Sequence, residues 1–430
     1  MLTYGIPSYK LEKNIIDAEI EVIKELGVEI KCGVEVGKDV TIQDLKKQGY
    51  KAFYVAVGCQ GGKLPNIKNE DANGVDIAVN FLAKATDNQD QILDGDVVVV
   101  GGGNVAIDCA RTATRFKANK VTMVCLESRE TMPASKDEIM EAEEENVIIN
   151  NGWGPKEILV DENNNVKAIV FKKCLSTLDK DHKFNPIYDE EQTIIIDAKH
   201  IIFAIGQTIV WKDLLKDTKV TYWHGNYPIA DKLTYQTADP DIFVGGDVYT
   251  GPKFAIDAIE AGKCAAESLH RYVQPGTSLT IGRNRRDFIM LNKQDITIPQ
   301  DYDHAQRQIT GMNENIDAKS SFRDAHLTLT EEQVKIETSR CLGCGVSVVD
   351  PNKCIGCGVC TTKCMFDAIT LTRDHPECST MIKSEDKFKA ILPYAIKRGF
   401  KIKFGKHTDE EKASIKKHKE YKKNLKKENK

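Results

Sequence analysis

Residues 96–127 constrain the fold more than any other stretch of the chain. Asp96-Val-Val-Val-Val100 is a short β-branched apolar run, suited to a buried strand of a parallel sheet. It leads straight into Gly101-Gly-Gly103-Asn104-Val105-Ala106, a G-x-G-x-x-A loop. Ile107 to Phe116 then reads as a helix and Lys120 to Leu126 as the next strand. Strand, glycine turn, helix and strand form one βαβ unit of dinucleotide-binding type. Gly101 permits the tight turn, Gly103 lets the main chain approach a pyrophosphate, and Ala106 lets helix and strand pack closely. The helix N-terminus, opened by Asn104 and Val105, faces the phosphate charge. A glycine fingerprint alone also occurs in crossovers that bind nothing. Here the flanking strands and the helix all agree with it.

Glu127 ends the second strand, twenty-one residues after Ala106. An acid at this place accepts hydrogen bonds from ribose hydroxyls and repels a 2′-phosphate, which points to NADH rather than NADPH. Arg129, two residues on, works against that preference, and an ordinary exposed glutamate at a strand end is the plain alternative. Two further segments, Lys51–Gly58 and His200–Gly206, read as buried strands running into glycine, where a connection could cross between nucleotide domains. Asp239–Asp247 reads as a short strand ending in Gly-Gly246-Asp247, followed by a helix from Ala255. The Asp247 carboxylate at that strand end could hydrogen-bond a sugar-like chain, or simply cap the helix. Asn14 to Leu26 reads as a helix and Val28 to Cys32 as a strand.

The second informative stretch is Cys354-Ile-Gly-Cys357-Gly-Val-Cys360-Thr-Thr-Lys-Cys364, spaced C-x2-C-x2-C-x3-C. Three thiolates at that spacing can curl around one face of an iron–sulfur cube, and Gly356 and Gly358 allow close backbone approach. Cys341 and Cys344 precede it as a C-x2-C pair. With Cys354 and Cys357 they would also suit a zinc knuckle, a reading that leaves Cys360 and Cys364 unexplained. Residues 341–378 supply seven cysteines, and two all-cysteine clusters need eight. One 4Fe–4S cluster is expected, on Cys354, Cys357 and Cys360, with the fourth ligand open among Cys341, Cys344 and Cys364. A second cluster would need Cys378 and a ligand from elsewhere. The other six cysteines (Cys32, Cys59, Cys109, Cys125, Cys174, Cys264) lie among apolar segments and are expected to be buried free thiols, as suits a reducing cytoplasm. None forms a C-x2-C or C-x4-C pair near the nucleotide segments, so disulfide reduction is not expected.

At 430 residues, 41% hydrophobic and 29% charged, the chain has the composition of a globular protein with two or three domains. No apolar run approaches the ~20 residues of a membrane helix, so no membrane partner is expected. The net charge of −4 is uneven: residues 401–430 hold twelve lysines and five acids, leaving the rest at −11. That balance reads as a solvated lysine-rich tail on an acidic body, without the signs of a nucleic-acid binder. Residues 275–335, with the basic knot Arg283-Asn-Arg-Arg286, read as a partly helical connector.

With Tyr4-Gly-Ile-Pro-Ser-Tyr-Lys-Leu11, Val100-Gly-Gly-Gly-Asn-Val-Ala-Ile-Asp-Cys-Ala-Arg111, Met132-Pro-Ala-Ser135 and Asp241-Ile-Phe-Val-Gly-Gly-Asp247, the chain resembles the small subunit of bacterial glutamate synthase and related NAD(P)H-dependent flavin oxidoreductases over residues 1 to about 270. The carboxy-terminal module is similar to half of a bacterial ferredoxin. The resemblance implies an α/β fold with two nested Rossmann-like domains, one for FAD and one for the nicotinamide. It implies that Gly246 and Asp247 hold the flavin's ribityl and phosphate portion. NADP-preferring members carry paired arginines where this chain has Leu126 and Glu127. The family's flavin pyrophosphate loop lies upstream of the Gly-Ile-Pro segment, where this chain starts, so the first domain is expected to be incomplete: a fragment, a misplaced start, or a half supplied by another polypeptide. By itself the chain is then expected to bind FAD poorly or not at all.

The expected organisation is a partial FAD domain at 1–90, a NAD(P) domain at 91–206 and a return to the FAD domain at 207–274. A connector at 275–335, a 4Fe–4S module at 336–378 and a carboxy-terminal segment at 379–430 follow. The expected role is electron transfer from NAD(P)H through FAD and the cluster to a partner protein or ferredoxin, in a cytoplasmic hetero-oligomer and with no catalytic acid or base nominated. The alternative is a relay subunit with the cluster but no nicotinamide chemistry of its own.

Overall fold

The computed structural model describes residues 1–181, 183–224, 226–283, 305–341, 349, 354–363, 369–372, 382–405 and 408–428. Contacts divide the chain into two units, Met1–Cys341 and Leu342–Lys430.

The first unit opens with helices α1 (Lys13–Glu25) and α2 (Ile42–Lys47). Thr41 caps α2 in a reciprocal capping box with Asp44. Strands β1 (Phe53–Val55), β2 (Gly61–Gly62) and β3 (Val75–Ile77) and helix α3 (Ala78–Asp87) lead into β4 (Asp96–Val100), α4 (Asn104–Arg115) and β5 (Lys120–Cys125). Next come α5 (Lys136–Glu144), β6 (Ile148–Asn151), β7 (Trp153–Val160), β8 (Val166–Leu178), β9 (Phe184–Asp197), β10 (His200–Phe203) and β11 (Gln207–Thr208). The hairpin β12 (Tyr222–Trp223) and β13 (Tyr227–Pro228), then β14 (Ile242–Val244), α6 (Asp247–Thr250), α7 (Ala255–Val273) and α8 (Glu331–Ser339), complete the unit.

The central sheet is five-stranded and fully parallel, in the order β3-β10-β4-β5-β6. Its edge strand comes from residues 75–77, ahead of residue 91. Val97 to Val100 and Val121, Met123 and Val124 are buried because helices cover one face and the antiparallel sheet β7-β8-β9 supplies Ile158, Ile169 and Phe171 to the other. Fully burying each such side chain stabilises by about 1.5–3 kcal/mol. β1 and β14 pair in parallel as a separate two-stranded sheet, and the antiparallel pair β2–β11 joins the two regions.

Three sequence expectations change here. Val28–Cys32 is not a strand. It is exposed and irregular between Gly27 and Gly33, both at positive φ, and no described strand pairs with it. Lys51–Gly58 contributes only Phe53–Val55 to a strand, because its neighbour β14 is itself three residues long. Cys32 is exposed and Cys264 half-buried, whereas Cys59, Cys109, Cys125 and Cys174 are buried as expected. Among the described residues of the connector, 305–329 are irregular and α8 is helical. Phe322 from this stretch stacks on Phe116, with centroids 5.5 Å apart.

In the second unit, helices α9 (Val359–Lys363), α10 (Lys387–Phe404) and α11 (Asp409–Glu428) are described, and none of its described residues is buried.

Candidate functional site

The glycine loop sits at the carboxyl end of β4, where ligands bind in open parallel sheets. Gly101 has φ +146, and a Cβ there would stand 2.5 Å from the Ala204 carbonyl oxygen at the end of β10. Only glycine lets β4 turn this close to its neighbour. Gly101 N–H donates to the Val124 carbonyl at 2.9 Å, which ties the turn to β5. Gly103 caps α4 from an extended conformation, and a Cβ placed on it would meet no atom within 4 Å. The loop is therefore open on the side where a phosphate must approach, at the start of a twelve-residue helix whose dipole favours negative charge. Ala106 is fully buried against the sheet, as close packing of α4 requires, and Val105 is half-buried.

Glu127 lies just beyond β5 and leans on the loop: a Cβ on Gly102 would come 2.7 Å from Glu127 Oε2. Its main chain is fixed from the neighbouring strand, since Gly152 N–H and Asn151 Nδ2 donate to its carbonyl at 3.1 and 3.2 Å. Arg129 turns away to Glu143, Nη2 to Oε2 at 2.6 Å. The structure thus brings Gly101, Gly103, Asn104, Val105, Ala106 and Glu127 together around one opening. These residues fit a dinucleotide: open glycine backbone for the pyrophosphate, and a carboxylate for ribose.

The loop has partners that motif reading did not place. Ala134 N–H donates to the Gly102 carbonyl at 3.1 Å, and Ser135 N–H to Asn104 Oδ1 at 2.9 Å. Ser135 also caps α5 through Glu138. The sequence signal was there as S-x-x-E, but nothing local shows that this cap lies against the glycine loop.

Gly206 has φ +126 and its carbonyl accepts from Lys63 N–H at 3.2 Å, beside the β2–β11 pair. It lies between β10 and β11. Gly246 and Asp247 stand at the carboxyl end of β14, in a separate sheet from the glycine loop. Gly246 has φ +67. Asp247 Oδ1 accepts from Lys253 N–H at 3.1 Å, and burial raises its carboxyl above the usual range. On the parallel neighbour, Cys59 Sγ lies 3.5 Å from the Asp247 carbonyl. Two parallel strand ends with glycine turns fit a ribityl-phosphate chain in their donor and acceptor chemistry.

Two buried thiols of the first unit are unsuited to redox chemistry. Burial pushes Cys59 up to about 11 and Cys125 up to about 12, so both stay protonated at neutral pH. Among the described residues every cysteine is unpaired.

A buried ionic cluster that the sequence did not reveal locks the start of the chain onto α4. Glu145 accepts from Arg111 Nη2 at 2.7 Å and from Arg115 Nη1 at 2.6 Å, and the Arg115 guanidinium lies 3.7 Å over the Tyr9 ring. Lys10 pairs with Asp108 at 2.5 Å and with Glu138. Burial lifts the Asp108 carboxyl to about 6, against the pull of Lys10. Arg283, the first residue of the basic knot, is buried and donates to Ser268 Oγ and to the Cys264 and Leu233 carbonyls.

Cys341 follows α8 at the end of the first unit and is exposed. Cys354, Cys357 and Cys360 belong to the second unit and are also exposed, with Gly356 and Gly358 at φ +67 and +76. Cys344, Cys364 and Cys378 lie outside the described residues. Among the described residues no three His, Cys, Asp or Glu side chains stand close enough together to hold a metal ion. The donor set itself, thiols on a glycine-turned segment open to solvent, fits a thiolate-ligated cluster, and ligation is what draws such thiols together.

Residues 346–369 match a 4Fe-4S binding domain. The chain is 32% identical over 352 residues to the NADP(+)-dependent formate dehydrogenase subunit beta of Moorella thermoacetica, covering 80% of this chain and 49% of that protein. It is 31% identical over 291 residues to the glutamate synthase [NADPH] small chain of Escherichia coli K12, covering 64% and 61%. It is 34% identical over 279 residues to the NAD-dependent dihydropyrimidine dehydrogenase subunit PreT of Escherichia coli O157:H7, covering 64% and 60%. The chain thus spans about half to three fifths of the length of these relatives. Residues 1–262, which hold the glycine loop, Glu127 and the Gly246–Asp247 turn, match throughout one family, and the chain belongs to it: the pyridine nucleotide-disulphide oxidoreductases.

Proposed function

We propose that the chain acts in an oxidoreductase that takes electrons from NADH and passes them, through FAD and a 4Fe–4S cluster, to a protein partner. The observation that carries this reading is the glycine loop open at Gly103 with Glu127 folded against Gly102. Gly101 to Ala106 and the α4 N-terminus hold the nicotinamide dinucleotide's pyrophosphate, and Glu127 accepts from its ribose hydroxyls. Because Arg129 is engaged by Glu143, no guanidinium is offered at that ribose for a 2′-phosphate, which favours NADH. Gly246 and Asp247 hold the ribityl-phosphate stretch of FAD, and Cys354, Cys357 and Cys360 ligate the cluster with a fourth thiolate from Cys341, Cys344 or Cys364. Bound FAD and the cluster supply the hydride acceptance and the one-electron transfer; the protein sets distance, orientation and potential. Protonated thiols at Cys59 and Cys125 keep disulfide chemistry out of the path.

The named relatives are subunits or chains of larger enzymes, which supports a hetero-oligomer with a separate acceptor subunit or a ferredoxin. Unpaired thiols throughout the described residues suit the reducing cytoplasm. The test is anaerobic titration of the purified chain with NADH and NADPH, followed by fluorescence of the reduced nicotinamide. Tighter binding of NADH is expected; a chain that binds neither nucleotide overturns the reading.

A further inference from the structure

The second unit carries a helix that this role leaves unused. Over its eighteen residues α10 (Lys387–Phe404) has five lysines and one arginine and no acid. Phe388, Ile391, Leu392, Ala395 and Ile396 recur at i, i+3, i+4, i+7 and i+8 and share one face. Phe400 and Phe404 continue its edge in steps of four, their rings 5.8 Å apart. This face lies in water: Phe388 is 77% exposed, Phe400 64% and Phe404 70%. Lys387, Lys397, Arg398 and Lys401 take the opposite side by the same periodicity.

We propose that α10 lies along the surface of an anionic phospholipid membrane, its apolar face among the upper acyl chains and its cations among the phosphates. Six positive charges without an acid call for an anionic occupant. The placement of Lys403 decides which one. On the helical wheel it falls inside the apolar arc, between Leu392 and Ile396, as does Lys389, which Asp386 Oδ1 meets at 3.5 Å. In the groove of a protein partner the Lys403 ammonium would be desolvated among apolar side chains, a cost of several kcal/mol unless a carboxylate meets it. At a lipid surface its long stem stays with the apolar face while the head rises to the phosphates. A duplex nucleic acid would satisfy the charges but leave the phenylalanines in water. Among the described residues no helix is long and apolar enough to cross a membrane. The helix, with Pro393 in its interior, rests on the surface without crossing it.

The experiment floats the full chain with vesicles of phosphatidylcholine alone and of phosphatidylcholine mixed with phosphatidylglycerol. The chain is expected to rise only with the mixed vesicles and to be released by raised salt. A Lys397→Glu/Arg398→Glu/Lys401→Glu variant should partition about a hundredfold less, with far-UV circular dichroism unchanged. A Phe400→Trp variant should show a blue-shifted difference emission, measured against the parent chain, on mixed vesicles. The proposal is overturned by no flotation, by flotation that the charge reversals leave intact, or by a difference emission of the Phe400→Trp variant that stays put. It is equally overturned by a chain that ignores vesicles and instead self-associates through this face or binds duplex DNA. None of these readouts involves nicotinamide oxidation, so failure here and failure of the electron-transfer reading are separable.

Discussion

The glycine loop and the cysteine loop are both built on glycine turns, but the protein holds them by opposite means. The first is tied to a core: Gly101 is bonded to β5, Ala106 is fully buried, and Ala134 and Ser135 brace the loop from outside. The second, Cys354 to Thr362, has no buried residue. A loop on a packed sheet is shaped before its ligand arrives, whereas a solvent-exposed run of thiols takes its shape from the metal it binds. The first is sensitive to packing and buried charge; the second is sensitive to the loss of a single sulfur.

The largest effect is therefore expected from Cys357→Ser, which should abolish iron and acid-labile sulfide in the purified protein while leaving thermal unfolding of the first unit unchanged. A parallel fall in that unfolding temperature would break the contrast. Next comes Glu145→Ala. It leaves the buried guanidiniums of Arg111 and Arg115 without their shared carboxylate, and urea unfolding of the first unit should lose about 3–5 kcal/mol. A loss under about 1 kcal/mol would show that the cluster is merely a surface network.

The pH dependence of the first unit sharpens the same point. Asp108 titrates at about 6 in the folded chain against 3.8 when unfolded. Between these values the folded state holds a proton that the unfolded state has released. Asp108's contribution to stability thus falls as pH rises from about 4 to 6 and stays lost above that window. Asp108→Asn should flatten this slope, worth on the order of 2–3 kcal/mol. Urea midpoints across the window for both chains provide the check, and equal slopes would refute the assignment. Glu145 has the opposite sign: its arginines hold it below the usual carboxylate range, so its support is lost as pH falls. The smallest effect is at Glu127. Glu127→Ala should move the NADH-to-NADPH preference about tenfold toward NADPH, about 1.4 kcal/mol, with the fold intact. An unchanged ratio of dissociation constants would take the ribose contact away from this residue.

The β4–loop–α4–β5 segment was legible almost to the residue, because apolar runs, a glycine turn and a helix period are local patterns. The family was legible for the same reason, as several short motifs in fixed order. Val28–Cys32 was misread because its alternating valine and isoleucine look like a strand, yet a strand exists only where another pairs with it, and no described strand does. Arg283 read as part of a basic knot in a connector; only the fold shows it buried and bonded to Ser268 and two main-chain carbonyls. Nor could the Tyr9–Arg115–Glu145 cluster be read, since its members lie up to 136 positions apart and each alone is an ordinary polar residue.

By itself the sequence determined where a glycine loop joins strand to helix, which acid follows it, and which sulfurs stand at cluster spacing. All three are set by spacing within a few dozen residues, where chain geometry leaves little choice. Only the tertiary structure decided that Glu127 rests on Gly102, that Ser135 braces the loop, and that the first ten residues lock onto α4 through buried charge. Those contacts join segments far apart in the chain, and it is exclusion of water from a shared core that brings them together and makes their pairing matter.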